Sequence, residues 1–369
     1  MEHFDVIVIG GGLVGSSSAY TFAKNGKSVL LLEQFSFLHE RGSSHGGSRI
    51  FRHAYEDARY VRMCVDADAA WQTLEAESQE GLLFRSGGLD IGRKEFLEQI
   101  AQSILSGGSD CDFLSPRETT KRFPVFKPQE ENTVLYQESA GVLAASRAVT
   151  TLLRMAVNYG ADLRDNEAML SYRATASGVE VTSSKGNYQA TKLIVCAGAW
   201  ISKVFSELEL KTYVEKQQVL YIKAKGKDFL VGKMPIFIER DHGIYGMPSF
   251  ERPTAIKVGD HYIAPQTDPD TRDFELNQDI AKDTCDKLAS FMNLTPEILD
   301  FSTCLYTKTP DEHFIMDRHP ETPQILIAGG FSGHGFKFGP ILGNILFDLA
   351  YDQDSTYDLS LFGLERLKA

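Results

Sequence analysis

The chain has 369 residues, 43% apolar and 24% charged, the proportions of a soluble globular protein with room for about two domains and a sizeable core. Its formal net charge of −12 argues against nucleic acid or an anionic membrane as partner, so any cationic site is a local exception. No apolar run approaches the roughly eighteen residues of a membrane span, and the chain enters its first strand without a secretory leader, which predicts a cytoplasmic protein.

In chain order, the apolar run DVIVIGGGLVG, then SSSAYTFAKNG, then a second apolar run ending at Glu33 predict a strand, a tight turn, a helix and a strand. Gly10, Gly12 and Gly15 then fall where backbone must approach a pyrophosphate that faces the helix N-terminus. Glu33, placed after the second strand, can accept a hydrogen bond from a ribose 2′-hydroxyl, and its charge would repel the extra phosphate of NADP. The expected ligand is an adenine dinucleotide, with NAD and FAD both open at this point. Next comes the glycine-rich segment 42–53, which carries Ser44, His45, Arg49, Arg52 and His53. Two arginines and two histidines this close suggest a pocket for a carboxylate or for flavin oxygens; a basic surface loop is the alternative.

Residues 58–77, with Trp71 and Leu74 on one stripe, and residues 145–159 predict helices. Segments 80–95, 132–145, 213–225 and 236–264 alternate apolar and polar residues between glycine turns, as half-solvated strands do. Buried strands are expected over 192–200 and 324–330. Nucleotide-domain strands at the beginning, middle and end imply a discontinuous domain, assigned to 1–85, 146–212 and 305–369, with a second, β-rich domain over 86–145 and 213–304. After the last strand comes a glycine loop, then Pro340 at a helix start followed by an apolar stretch. The positive end of that helix would stabilise the negative charge of a reduced flavin, which tilts the choice of cofactor toward FAD. The five cysteines, odd in number and scattered, fit neither a disulfide framework nor a zinc site.

Four stretches, GGGLVG at 10–15, RGSSHGGSRIFRHAY at 41–55, CLYTKTPDEHFIMDRHP at 304–320 and GFSGHGFKFGP at 330–340, together resemble the sarcosine oxidase family of flavoproteins, which includes N-methyltryptophan and pipecolate oxidases. The resemblance covers nearly the whole chain. It implies a discontinuous, Rossmann-like FAD-binding α/β domain of the D-amino-acid-oxidase kind, joined to a catalytic domain on a mixed, mainly antiparallel sheet. It also implies FAD attached covalently through Cys304, a substrate carboxylate clamped by Arg52 and Lys337, and Lys257 activating dioxygen near flavin N5. Tyr245 and His261 match residues on the substrate side. Ser44, His45, Arg49, Gly333, Gly335 and Lys337 match positions around the flavin.

The activity implied is oxidation of a secondary amino acid to an imine, which hydrolyses to an aldehyde and an amine, with dioxygen reduced to hydrogen peroxide. The partners are then a small N-alkyl amino acid and dioxygen, and the protein is a monomer. One tyrosine of the relatives' Gly-Ile-Tyr-Tyr-Gly strand is missing at Gly243-Ile244-Tyr245-Gly246, and the preceding segment 237–242 is unusually charged. That segment is either a solvated turn or the border of a pocket for a bulky, hydroxylated N-substituent, as in fructosyl amino acid oxidases. A flavin dehydrogenase with a non-oxygen acceptor and a non-enzymatic dinucleotide sensor are the other readings.

Overall fold

A computed structural model describes residues 1–367. The first apolar run forms the strand Glu2–Ile9, central in an eight-stranded sheet. Parallel to it lie Val29–Leu32 on one side and Asn187–Val195 on the other. Asp162–Arg164 and Ile325–Gly329 extend the parallel set outward. Val6 and Val8 pack into a layer with the helices Leu13–Lys24, Ala145–Asn158 and Gly339–Ala350, whereas Ile7 and Ile9 pack with Ile201 and Phe205 in a layer on the other side. Burial on both faces explains why this strand reads as a continuous apolar run rather than an alternating one. The strand expected over 192–200 begins earlier, at Asn187, and ends at Val195 before a 3₁₀ turn at Gly198–Trp200. Its extra N-terminal length pairs with Gly178–Ser183, an antiparallel addition to the parallel core.

A second eight-stranded sheet runs in the order Ile298–Lys308, Tyr213–Lys223, Ala255–Asp260, Ile244–Arg252, Ile236–Glu239, Gly88–Gly92, Thr133–Gln137 and Asp112–Leu114. Its neighbours are antiparallel except Ile236–Glu239 beside Gly88–Gly92. Ile256 and Val258 face a layer that contains Leu288 and Phe291 of the helix Gln278–Phe291. The pleat therefore turns Lys257, between them, to the opposite side. There the small sheet of Arg49–Phe51, Gly141–Leu143 and Leu83–Arg85 covers part of the surface, through Ile50 and Val142 against Ile236 and Met247. With both sides covered, Gly88–Gly92 and Ala255–Asp260 are buried throughout, not half-solvated as their patterns suggest. The two expected helices form at Ala58–Ser78 and Ala145–Asn158. Among the described residues, no helix is long and apolar enough to cross a membrane.

Candidate active site

The C-terminal ends of the central parallel strands open onto a cavity of about 730 Å³, the position at which open parallel sheets bind ligands. Gly10 holds φ +100°, and a Cβ there would lie 2.4 Å from the Cys196 carbonyl oxygen, so the turn requires glycine. At Gly12 a Cβ would sit 3.0 Å from Ser44 Oγ. That hydroxyl accepts a hydrogen bond from the Leu13 amide at 3.1 Å, at the start of the first helix. Gly15 does not line the cavity: a Cβ would come within 1.8 Å of the Gly10 carbonyl oxygen, so this glycine lets the helix seat on its strand. Glu33 borders the cavity, and its buried carboxylate accepts the amides of Gly11 at 2.7 Å and Phe35 at 2.9 Å. Gly333 and Gly335 form part of the same wall.

A second cavity, of about 430 Å³, adjoins the first; His45, Arg49, Tyr306, Gly333 and Phe336 line both. Around it stand Arg52, Lys337, Lys257, Tyr245, His261 and Cys304. Residues expected from distant parts of the chain to serve one reaction are thus neighbours in space. Arg49 holds the junction together by donating to the carbonyls of Ser43 and His45, each at 2.7 Å, and of Ser48 at 2.8 Å.

Lys337 is buried and donates to the Tyr55 hydroxyl at 2.8 Å and to the His334 carbonyl at 2.7 Å, while its own carbonyl accepts from Trp71 Nε1 at 2.7 Å. Burial, followed by the charge of Arg52, pushes the ammonium pKa down to about 7. The Arg52 guanidinium lies 4.8 Å from the centre of the Tyr55 ring. Its Nη1 is buried with no hydrogen-bond partner in the protein. A buried cationic donor of this kind is costly unless a ligand accepts from it.

Lys257, 5% exposed, donates to Glu251 at 2.7 Å and to the Ser48 carbonyl at 3.2 Å. Burial and the nearby Arg49 charge lower its pKa, and Glu251 acts against them. Burial in turn raises the Glu251 pKa, but Lys257 and the hydroxyls of Ser48 and Tyr221 outweigh it and hold the carboxyl at about 2. Burial and neighbouring cations bring His45 down to about 3 and His261 to about 4, so both rings are neutral at physiological pH. His45 Nε2 is also buried without a protein partner. Tyr245 and Tyr306 bond to each other, and burial raises the Tyr245 phenol to about 12.

Cys304 belongs to Ile298–Lys308, where the pleat turns Ser302, Cys304 and Tyr306 toward the smaller cavity. Lys257 and Arg272 lie near it. Cys64 and Cys196, by contrast, are buried, and burial pushes both thiols up to about 12. His53 lines neither cavity and bonds Ser109 at 2.7 Å through Nδ1. His334 is held between the Tyr55 hydroxyl at 2.9 Å and the Glu312 carbonyl at 3.0 Å, consistent with a role in shaping the loop.

Sequence reasoning missed Tyr55, Tyr306 and Glu251. Both tyrosines fall inside the motifs quoted above, at 41–55 and 304–320. Glu251 could have been found by folding residues 244–260 into the hairpin they form, with Arg252 opposite Ala255, which brings Glu251 back toward Lys257. In the charged segment 237–242, Glu239 caps a turn by accepting the amides of Asp241 and His242, while Arg240 lines the smaller cavity.

A glycine cradle at the strand ends, an adjoining cavity and an orphaned imidazole nitrogen at the junction fit FAD, which Gly10, Gly12, Glu33, Ser44, His45 and Arg49 would hold. Residues 5–349 match the model of the FAD dependent oxidoreductase family, and the chain belongs to that family of flavoenzymes. Among its relatives, the monomeric sarcosine oxidase of Streptomyces avermitilis is 33% identical, over 99% of this chain and 98% of its own length. The peroxisomal sarcosine oxidase of Mus musculus is 35% identical, over 99% and 96%. Among solved structures, L-proline dehydrogenase from P. horikoshii superposes with a TM-score of 0.87 at 22% identity, covering 100% of this chain and 98% of its own, a likeness of fold alone.

Proposed function

We propose that this enzyme oxidises N-alkylated amino acids of the sarcosine type, with FAD joined covalently to Cys304 and dioxygen as the electron acceptor. The observation that carries the reading is the buried, unpartnered Arg52 Nη1 beside Lys337, in a cavity that shares walls with the dinucleotide cleft. Arg52 offers a planar fork and Lys337 a point charge, a pair suited to fixing a carboxylate in one orientation. We also read the two large sheets as the FAD-binding and substrate domains, divided at about the boundaries assigned from the sequence.

FAD, when bound, would accept the hydride equivalent from the carbon beside nitrogen and pass its two electrons to dioxygen, giving hydrogen peroxide. The substrate must arrive as the free amine, since a protonated nitrogen has no lone pair to drive hydride departure. The cations Arg52 and Lys337 favour that form by lowering the amine pKa. Tyr245 and the neutral His261 wall the substrate side and carry no charge that would compete for the carboxylate. Lys257 supplies a fixed cation for dioxygen reduction. The imine released is hydrolysed by water to an aldehyde and an amine.

The test is acid precipitation of purified protein, with flavin absorbance followed into pellet or supernatant. Flavin retained in the pellet, and lost from it in Cys304→Ser, is the expected result, with peroxide release on adding sarcosine. Flavin in the wild-type supernatant would remove Cys304 from its role. A flavin dehydrogenase with another acceptor is the second reading, favoured by one observation: Glu251 neutralises the charge that Lys257 would offer to dioxygen.

A further inference from the structure

Besides Arg52 and Lys337, Lys257 paired with Glu251, and Arg49 bonded to backbone carbonyls at the junction, one further cation, Arg240, lines the smaller cavity. Arg240 directly follows the strand Ile236–Glu239, and its Nε and Nη2 both bond one oxygen of Asp90, the former at 2.6 Å. Asp90 is 2% exposed in the fully buried strand Gly88–Gly92, so this carboxylate anchors the guanidinium from behind. Arg240 nevertheless lines the cavity, beside Arg52 and Lys337. The three charges stand close enough to oppose one another.

Below neutrality, where the Lys337 ammonium is complete, these three cations against Asp90 leave two positive charges, and one substrate carboxylate removes only one of them. Other acids on the cavity wall do not supply the balance: Asp57 is taken by Arg59, Asp311 by Arg366 and Glu312 by Lys308, while Glu251, behind the wall, is taken by Lys257. Glu56 also lines the cavity but is an exposed residue, where water screens it. Resting on the amino-acid oxidase reading above, we propose that Arg240 is a specificity-determining residue that receives a second carboxylate, so that the preferred substrate is an N-alkylated amino acid carrying an additional acid group on its N-substituent or side chain. Arg52 and Lys337 take the first carboxylate, and Arg240, stiffened by Asp90, the second. An arginine suits this task because its fork keeps donors free after two have been committed to Asp90.

The test uses thioethers, which cannot be oxidised as amines, titrated into the flavin-loaded enzyme with the visible flavin spectrum as readout. (Methylthio)acetate carries one carboxylate; thiodiglycolate and 3-(carboxymethylthio)propanoate carry two, at different spacings. At least one dianion is expected to bind tenfold or more tightly than the monoanion, with an advantage that shrinks as salt is raised. Arg240→Met should abolish that advantage. Because this variant strands a buried aspartate, Asp90→Asn/Arg240→Met serves as the folded control and should give the same collapse. Equal affinity for monoanion and both dianions in wild type, or a preference that survives in the double variant, overturns the assignment of Arg240. If none of the three perturbs the flavin, the amino-acid oxidase reading fails and this inference falls with it.

Discussion

At the scale of single residues, the site is governed by how burial sets charge. Lys337 has a pKa of about 7 in the free enzyme, so its ammonium form is complete only below neutrality. Affinity for a monocarboxylate inhibitor should therefore be constant below about pH 7 and weaken as pH rises beyond it, by up to about tenfold per unit. Dissociation constants measured across this range check the point, and a profile without a break near neutrality would show that Lys337 is not part of the clamp. Lys257 raises a different question, because it and Glu251 are buried together. Lys257→Met should leave flavin reduction intact and slow reoxidation by dioxygen about a hundredfold or more. The same change strands the Glu251 carboxylate, at a cost of about 3–5 kcal/mol. Adding Glu251→Gln should restore stability and leave reoxidation slow, whereas recovery of both would mean that Lys257 acts only as a structural partner. The sign of the acid response also follows from Glu251. Its folded pKa of about 2 lies below its ordinary value, so the stability it contributes is complete above about pH 4.5 and is lost as pH falls toward 2.

At the scale of elements, the helix Ala58–Ser78 backs the proposed carboxylate clamp. Trp71 is fully buried and its indole N–H is spent on the Lys337 carbonyl, just before the helix Gly339–Ala350. Trp71→Phe would leave that carbonyl without its partner, costing about 1–3 kcal/mol. It should also weaken carboxylate binding, because the lysine main chain is no longer fixed. Denaturant titration and inhibitor affinity check the two effects, and loss of stability with unchanged affinity would confine Trp71 to the core. The sequence showed Trp71 and Leu74 on one helical stripe but not the bond between Trp71 and Lys337, because a partner 266 positions away leaves no local pattern. The same physics separates what was legible from what was not. The strand–turn–helix around Gly10 has a local signature, since only glycine tolerates its backbone and its approach to Cys196. Lys257 was legible as a lysine on the inner face of a strand, and it is buried there, but the covering of the strand's other face was not legible. Alternation suggested one solvated face for Ala255–Asp260, and the covering sheet and cavity wall come from residues far along the chain. The helices Lys94–Ser106, Pro116–Arg122 and Gln278–Phe291 went unread, although Pro116–Arg122 opens with a capping box at Ser115 and Glu118 and Asn277 caps the third.

At the scale of the whole molecule, the dinucleotide cleft is assembled from pieces that only the folded chain brings together, among them Gly10, Glu33, Ser44, Met169, Trp200 and Gly333. FAD bound there is therefore a ligand of the native state alone, and mass action ties its occupancy to global stability. A reversible cofactor adds about 2.7 kcal/mol at a free concentration one hundred times its dissociation constant, and the melting temperature climbs as more is supplied. A cofactor joined to Cys304 behaves otherwise, because unfolding cannot release it to the solvent pool and the concentration term vanishes. The wild-type melting temperature should then be insensitive to added FAD, while that of Cys304→Ser should rise steadily with it. The half-buried position of Cys304 on the wall of the smaller cavity, with Lys257 and Arg272 nearby, leaves the thiol within reach of a bound cofactor and supports this expectation. A wild-type melting temperature that climbs with FAD as steeply as the variant's would mean that the flavin is held by the cleft alone and that Cys304 takes no part in its attachment.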